Sequence, residues 1–215
     1  PEIKDFNTKI LLETIGKGNM PGYFSFIENG LIDSNPFIVK QAILAAGLSM
    51  APEFIDKLIN FIADEQFSES AVQALAQYGV EINAFLQTVL KDDTQIEIHR
   101  KIPEILERIE SQSSVNFLFE LLDSEDFPIR NKALASLTHI KTHYQFLHFD
   151  KKQVIKRILD ESRILQDTLS ILYLQTKLEE SSINHDSKLS DARKSLINLL
   201  ERRLDGGLER IFRLL

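Results

Sequence analysis

An apolar pattern recurs four times along this chain. Ile38, Phe67, Ile98 and Ile129 open four similar segments. Ala42, Ala71, Ile102 and Ala133 follow four residues later, and Ala46, Leu75, Leu106 and Leu137 four after that. The steps between segments are 29, 31 and 31 residues. Spacing by fours puts each trio on one helical stripe. A unit of this length holds a helix, a turn and a second helix, and cannot bury its apolar stripes alone. Stacking neighbours buries them, so the pattern predicts an all-α, right-handed α-α superhelix of antiparallel helix pairs. Such folds bind partners along their length far more often than they catalyse.

The remaining punctuation divides the chain into three stretches. Residues 1–34 read as an irregular N-terminal helical cap. Phe6, Ile10, Leu11 and Ile15 mark one short helix, Gly16 to Gly22 break it, and Tyr23 to Ile27 with Leu31 and Ile32 mark another. Residues 35–140 hold the clear repeats. Asn35-Pro36 and Asp126-Phe127-Pro128 pair a capping side chain with a proline in the first helical turn. Second helices follow with Phe54, Leu58 and Ile62, with Ile82, Leu86 and Leu90, and with Val115, Leu118 and Leu122. Pro103 removes a backbone donor inside the third first-helix and is expected to kink it. Residues 141–215 read as degenerate repeats and C-terminal helices. One helix is marked by Val154, Ile155, Ile158 and Leu159, another covers 164–178, a polar linker follows at 181–187, and a helix is expected at 190–204. The chain begins at Pro1 and closes on the stripe Leu208, Ile211, Phe212 and Leu215. Both ends therefore read as cuts from a longer protein.

Several chemistries lack their residues. With no Cys, disulfides, thiolate metal sites and a cysteine nucleophile are excluded. Gly16-Lys17-Gly18 has neither the spacing nor the strand of a phosphate loop and reads as a turn. His139 and His143 share a helix face near His148, but no acidic partner completes a zinc motif, so they read as surface histidines. Acidic side chains fall on polar faces as solvated pairs, such as Glu97/Arg100 and Glu104/Arg108. No nucleophile elbow occurs. The reading is a non-enzyme with no cofactor and no metal. The longest apolar run, at 42–51, is about half of what a membrane helix needs.

Charge is unevenly spread. Residues 51–126 carry sixteen acidic and five basic side chains; residues 127–165 carry three acidic and eight basic. The basic group is Arg130, Lys132, Lys141, Lys151, Lys152, Lys156, Arg157 and Arg163, with Tyr144, Phe146 and Phe149 nearby. It reads as a solvated helix face or as a patch for a partner, an anionic membrane surface or a phosphate-bearing ligand. The acidic half beside it, and the formal net charge of −7, argue against nucleic acid. On the second helices, Lys57, Asn60, Gln87, Lys91, Asn116 and Glu120 are the exposed polar positions expected to line a protein-docking face.

Ile129-Arg130-Asn131-Lys132-Ala133-Leu134-Ala135-Ser136-Leu137 resembles the HEAT-repeat family in its short bacterial form. Ile98 to Pro103 is similar with the basic residue shifted. Ile38 to Ala42 and Phe67 to Ala71 match without the Arg. Further on, Leu199 to Leu204 and Leu208-Glu209-Arg210-Ile211-Phe212-Arg213-Leu214-Leu215 resemble the tail of HEAT segments attached to bacterial ADP/ATP-carrier-type nucleotide transporters. That resemblance implies a cytosolic scaffold or regulatory module whose partners are other domains of the same polypeptide, placed on the cytosolic face of a membrane. A stand-alone adaptor, a DNA-binding HEAT protein of the glycosylase kind and a lyase-like HEAT protein acting on a pigment are the alternatives.

Overall fold

The structure is a computed structural model that describes residues 2–181, 210, 211, 213 and 214. Among the described residues every regular element is helical and none is a strand. The chain divides into two compact units, residues 1–140 and 141–215.

Residues 1–34, expected as an irregular cap, hold a regular helix pair. Helix α1 (Glu2–Lys17) is followed through a short 3₁₀ turn by α2 (Phe24–Leu31). The plan then repeats: α3 (Pro36–Ser49) with α4 (Ile55–Asn60), and α5 (Ser68–Ala76) with α6 (Asn83–Val89). The third expected first-helix is split. Helix α7 (Ile96–His99) ends, Arg100 and Lys101 form a turn, and α8 (Ile102–Arg108) begins with Pro103 in its first turn. The kink expected at Pro103 is thus a full break. Proline tolerates the first turn of a helix, where its missing N–H has no intrahelical partner to lose. Helix α9 (Gln112–Leu121) starts at Ser111, whose side chain accepts the Ser114 N–H at 3.0 Å. Helix α10 (Phe127–His143) starts at Asp126, whose carboxylate accepts the Ile129 N–H at 3.0 Å.

Burial follows the sequence register. Ala42, Ala71, Ile102 and Ala133 are fully buried, and so are Ala46, Leu75, Leu106 and Leu137. Ile38, Ile98 and Ile129 are buried, while Phe67 is half-buried just ahead of α5. Stepping back 31 residues from Ala46 and Ile43 reaches Ile15 and Leu12, which are also buried. Phe6, Ile10 and Leu11, which mark α1 in the sequence, are exposed. Helix α1 packs on α3, α3 on α5, and α5 on α8, so each first helix meets its neighbours in the chain. The approach is close. A Cβ at Gly16 would lie 2.5 Å from the Ala45 carbonyl oxygen, and one at Gly47 2.5 Å from Ala74 Cα. Only glycine permits this contact.

The four first helices before α10 also end alike. Asn19, Met50, Gly79 and Glu110 all have left-handed backbone conformation, with φ of +40°, +50°, +62° and +50°. Their spacing repeats the 31, 29, 31 step and turns the chain from each first helix toward its second.

In the second unit, α11 (Lys151–Ser181) is one helix of 31 residues where two were expected. Val154 and Ile158 are buried on it, with Phe149, Ile211 and Leu214 buried elsewhere in the unit. The polar linker at 182–187, the helix expected at 190–204, and Leu208, Phe212 and Leu215 lie outside the described residues. So does the string at 199–209. Among the described residues no helix is long and apolar enough to cross a membrane.

Candidate functional site

The first-helix layer of residues 1–140 uses its charges internally. Arg108 reaches from α8 to Glu69 on α5 at 2.6 Å. Glu104 on α8 receives Lys132 from α10 and Lys101 from the turn just before α8. Arg100 donates to Asp126 at 2.9 Å and to Glu97 at 2.7 Å. His139 Nδ1 lies 3.1 Å from Glu107 Oε1. The pair expected between Glu104 and Arg108 is therefore replaced by two pairs that each join neighbouring units. Burial alone would raise the Glu104 carboxyl, but hydrogen bonds from Lys132 and Lys101 outweigh it and hold it below its ordinary value. The Arg100 guanidinium likewise holds the Asp126 carboxyl low.

The second helices present a different surface. With Leu58, Leu86 and Leu118 in the fully buried register position, Asn60, Thr88 and Glu120 fall two residues on, and all three are exposed. Asp56, Ala84 and Asn116 fall two residues before and are also exposed. Six positions thus form a ridge repeated on α4, α6 and α9. Of the six residues expected on this face, Asn60, Asn116 and Glu120 lie on the ridge. Gln87 and Lys91 are exposed beside it. Lys57 is exposed but pairs with Glu28 on α2, so it joins two second helices. Thr88 was missed because its register is visible only once the second helices are aligned on their buried leucines.

Part of the basic group is engaged within its own unit. Arg130 donates to the Ser124 and Glu125 carbonyls at 2.6 and 2.9 Å. Lys132 is held by Glu104. Lys141 donates to the Leu214 carbonyl at 3.2 Å and sits 5.0 Å from the centroid of the buried Phe149 ring. Lys151, Lys152, Lys156 and Arg163 are exposed along α11, and Arg157 is half-buried there. Phe146 is exposed, with its ring 6.1 Å from that of Tyr144.

His99 is buried, with Nε2 2.9 Å from the Val89 carbonyl oxygen; it ties α7 to the end of α6. Tyr78, also buried, donates its hydroxyl to the Ala51 carbonyl at 2.8 Å. Burial pushes that phenol well above its usual range, and Glu53 adds to the effect. Both are structural uses of polar side chains. Among the described residues no group of three or more His, Asp or Glu side chains could hold a metal ion. A shallow groove of about 250 Å³ crosses α1, α3 and α5, with Lys9, Glu13, Gln41, Gln73 and Gln77 over an apolar floor. Its amides and its Lys9 and Glu13 side chains can hydrogen-bond a ligand, but they set no nucleophile beside a base.

No protein-family model matches the chain, and no curated protein matches it.

Proposed function

We propose that residues 1–140 form a right-handed, HEAT-like superhelix acting as a non-enzymatic scaffold, and that its second-helix ridge docks a protein surface. One contrast carries this reading. Arg108–Glu69, Arg100–Asp126 and Lys132–Glu104 join one unit to the next on the first-helix side, whereas Asp56 and Glu120, the charged members of the ridge, take part in none of the described ion pairs. Polar side chains repeated at fixed register on three stacked helices supply hydrogen-bonding groups in a line, the arrangement that repeat folds use for extended partners. The resemblance of 199–215 to the tail of transporter-linked HEAT segments supports another domain of the same polypeptide as that partner, in a membrane protein resembling ADP/ATP-carrier-type nucleotide transporters, on its cytosolic face.

Site-specific photo-crosslinking tests this in the native host. A crosslinker at Asn60, Thr88 or Glu120 is expected to capture one common partner. The same group at Gln73 or Ala135, exposed on first helices, is expected to capture none. Equal capture from both layers, or none from the ridge, would remove the reading. A common partner that carries hydrophobic spans and maps to the same reading frame would favour the transporter setting over a stand-alone adaptor.

A further inference from the structure

We propose that α11 lies on an anionic membrane surface through one face of its length, a role independent of how residues 1–140 function. At 100° per residue, Lys152, Ile155, Lys156, Leu159, Arg163 and Leu174 fall within a sector of about 100° that runs for about 33 Å. The apolar members are turned to solvent: Ile155 is 47% exposed, Leu159 61% and Leu174 60%. Lys152, Lys156 and Arg163 are exposed as well and take part in none of the described ion pairs. Asp160 and Asp167 fall outside the sector, on one side of it, so the face itself is cationic.

The charge pattern selects the occupant. A second copy would bring the same cations against themselves, in a contact whose apolar area is broken by charge. An anionic bilayer accepts both components. Ile155, Leu159 and Leu174 enter the boundary between headgroups and acyl chains. The Lys and Arg stems lie along them and carry their charges to the phosphates. A helix with cations and aliphatic side chains interleaved on one face over 152–163, continued by Gln166, Ser170, Tyr173 and Leu174, needs no shaped pocket in its partner.

The full chain contains no Trp, so single tryptophans report insertion without background. Leu159→Trp is expected to shift its emission to the blue on adding vesicles of phosphatidylcholine with phosphatidylserine, and to stay unchanged with phosphatidylcholine alone. Gln87→Trp, on the second-helix surface of residues 1–140, is expected to stay unchanged with both. Adding K152Q, K156Q and R163Q to L159W should lower partitioning roughly 100-fold, and the three-glutamate version should lower it further. K91E should leave it intact. Circular dichroism checks that each variant keeps its helices. No shift in L159W with anionic vesicles, or an equal shift with neutral ones, overturns the proposal. A shift that grows with protein concentration in the absence of vesicles assigns the face to a second copy and overturns it too.

Discussion

Gly47 decides how closely α3 and α5 approach. An added Cβ would meet Ala74 Cα at 2.5 Å and its carbonyl oxygen at 2.6 Å, and both are backbone atoms that cannot swing aside. Alanine is the better helix former by about 1 kcal/mol, so the two effects oppose. Prising apart two packed helices costs about 1–3 kcal/mol, and the steric term should win. Gly47→Ala is expected to lower the urea midpoint, while Gly22→Ala, with nothing within 4 Å of its Cβ, should leave stability within about 0.5 kcal/mol. Asp126 offers a second residue-scale test. It caps α10 and accepts Arg100 at 2.9 Å, and the guanidinium lowers its carboxyl pKa. A pKa depressed on folding means stabilisation present above the unfolded value, about 3.9, and lost as pH falls through the folded value. Asp126→Asn keeps a capping oxygen but not the charge. Its stability deficit against the native chain, read by denaturant unfolding, should therefore be largest near neutral pH and close as pH falls below about 4. A deficit independent of pH would show that Arg100 contributes nothing through charge.

At the scale of the element, the four first helices before α10 are each followed by a left-handed residue, and only Gly79 announces this in the sequence. Asn19 tolerates the conformation through its short polar side chain. Met50 has no such excuse at φ +50° and is mostly exposed. A left-handed L-residue costs roughly 1–2 kcal/mol, so Met50→Gly is expected to stabilise by about 1 kcal/mol and raise the thermal midpoint. An unchanged or lower midpoint would mean that the side chain contributes packing the exposure hides. The same contrast explains what was legible beforehand. The stripe from Ile38 to Leu137 was visible because burial on both sides forces apolar residues into helical spacing, and the caps at Asn35 and Asp126 follow from local chemistry. The first pair was obscured because its apolar residues do not keep the register of the later units. Leu11, in the register of Ala42, faces solvent, while Leu12 and Ile15 carry the packing. The break at Pro103 was located but not its depth, since a proline inside an apolar stripe fits either a kink or a new first turn. Ion pairs misled in a different way. Glu104 has Arg108 four residues on, yet its partner Lys132 comes from the next unit, and only the stacking brings them together. In the same way the partners of Arg130, Lys132 and Lys141, nearby carbonyls or a carboxylate, are not readable from the basic segment at 130–163. The ridge residues were partly legible because exposure on a second helix follows from the buried leucines beside them.

For residues 1–140 as a whole, the packing of α1 on α3, α3 on α5 and α5 on α8 is a chain of neighbours. In a stack of this kind stability is close to a sum of unit terms and interfaces between adjacent units, so damage at one end need not reach the other. A globular core behaves oppositely, with one substitution lowering protection throughout. Leu12 tests which description holds, because it is fully buried at the N-terminal end and its truncation to alanine should cost about 2–5 kcal/mol locally. In the superhelical reading, Leu12→Ala speeds amide exchange across α1, α2 and the start of α3 while α8, α9 and α10 keep their native rates. The reciprocal change, Leu137→Ala, should loosen α10 and α8 and spare α1. Native-state hydrogen exchange measured helix by helix separates the outcomes. Graded loss that fades with distance from the substitution supports stacked units. Uniform loss from either end would mean that residues 1–140 fold as one cooperative core, and the superhelix proposed for them would have to be abandoned.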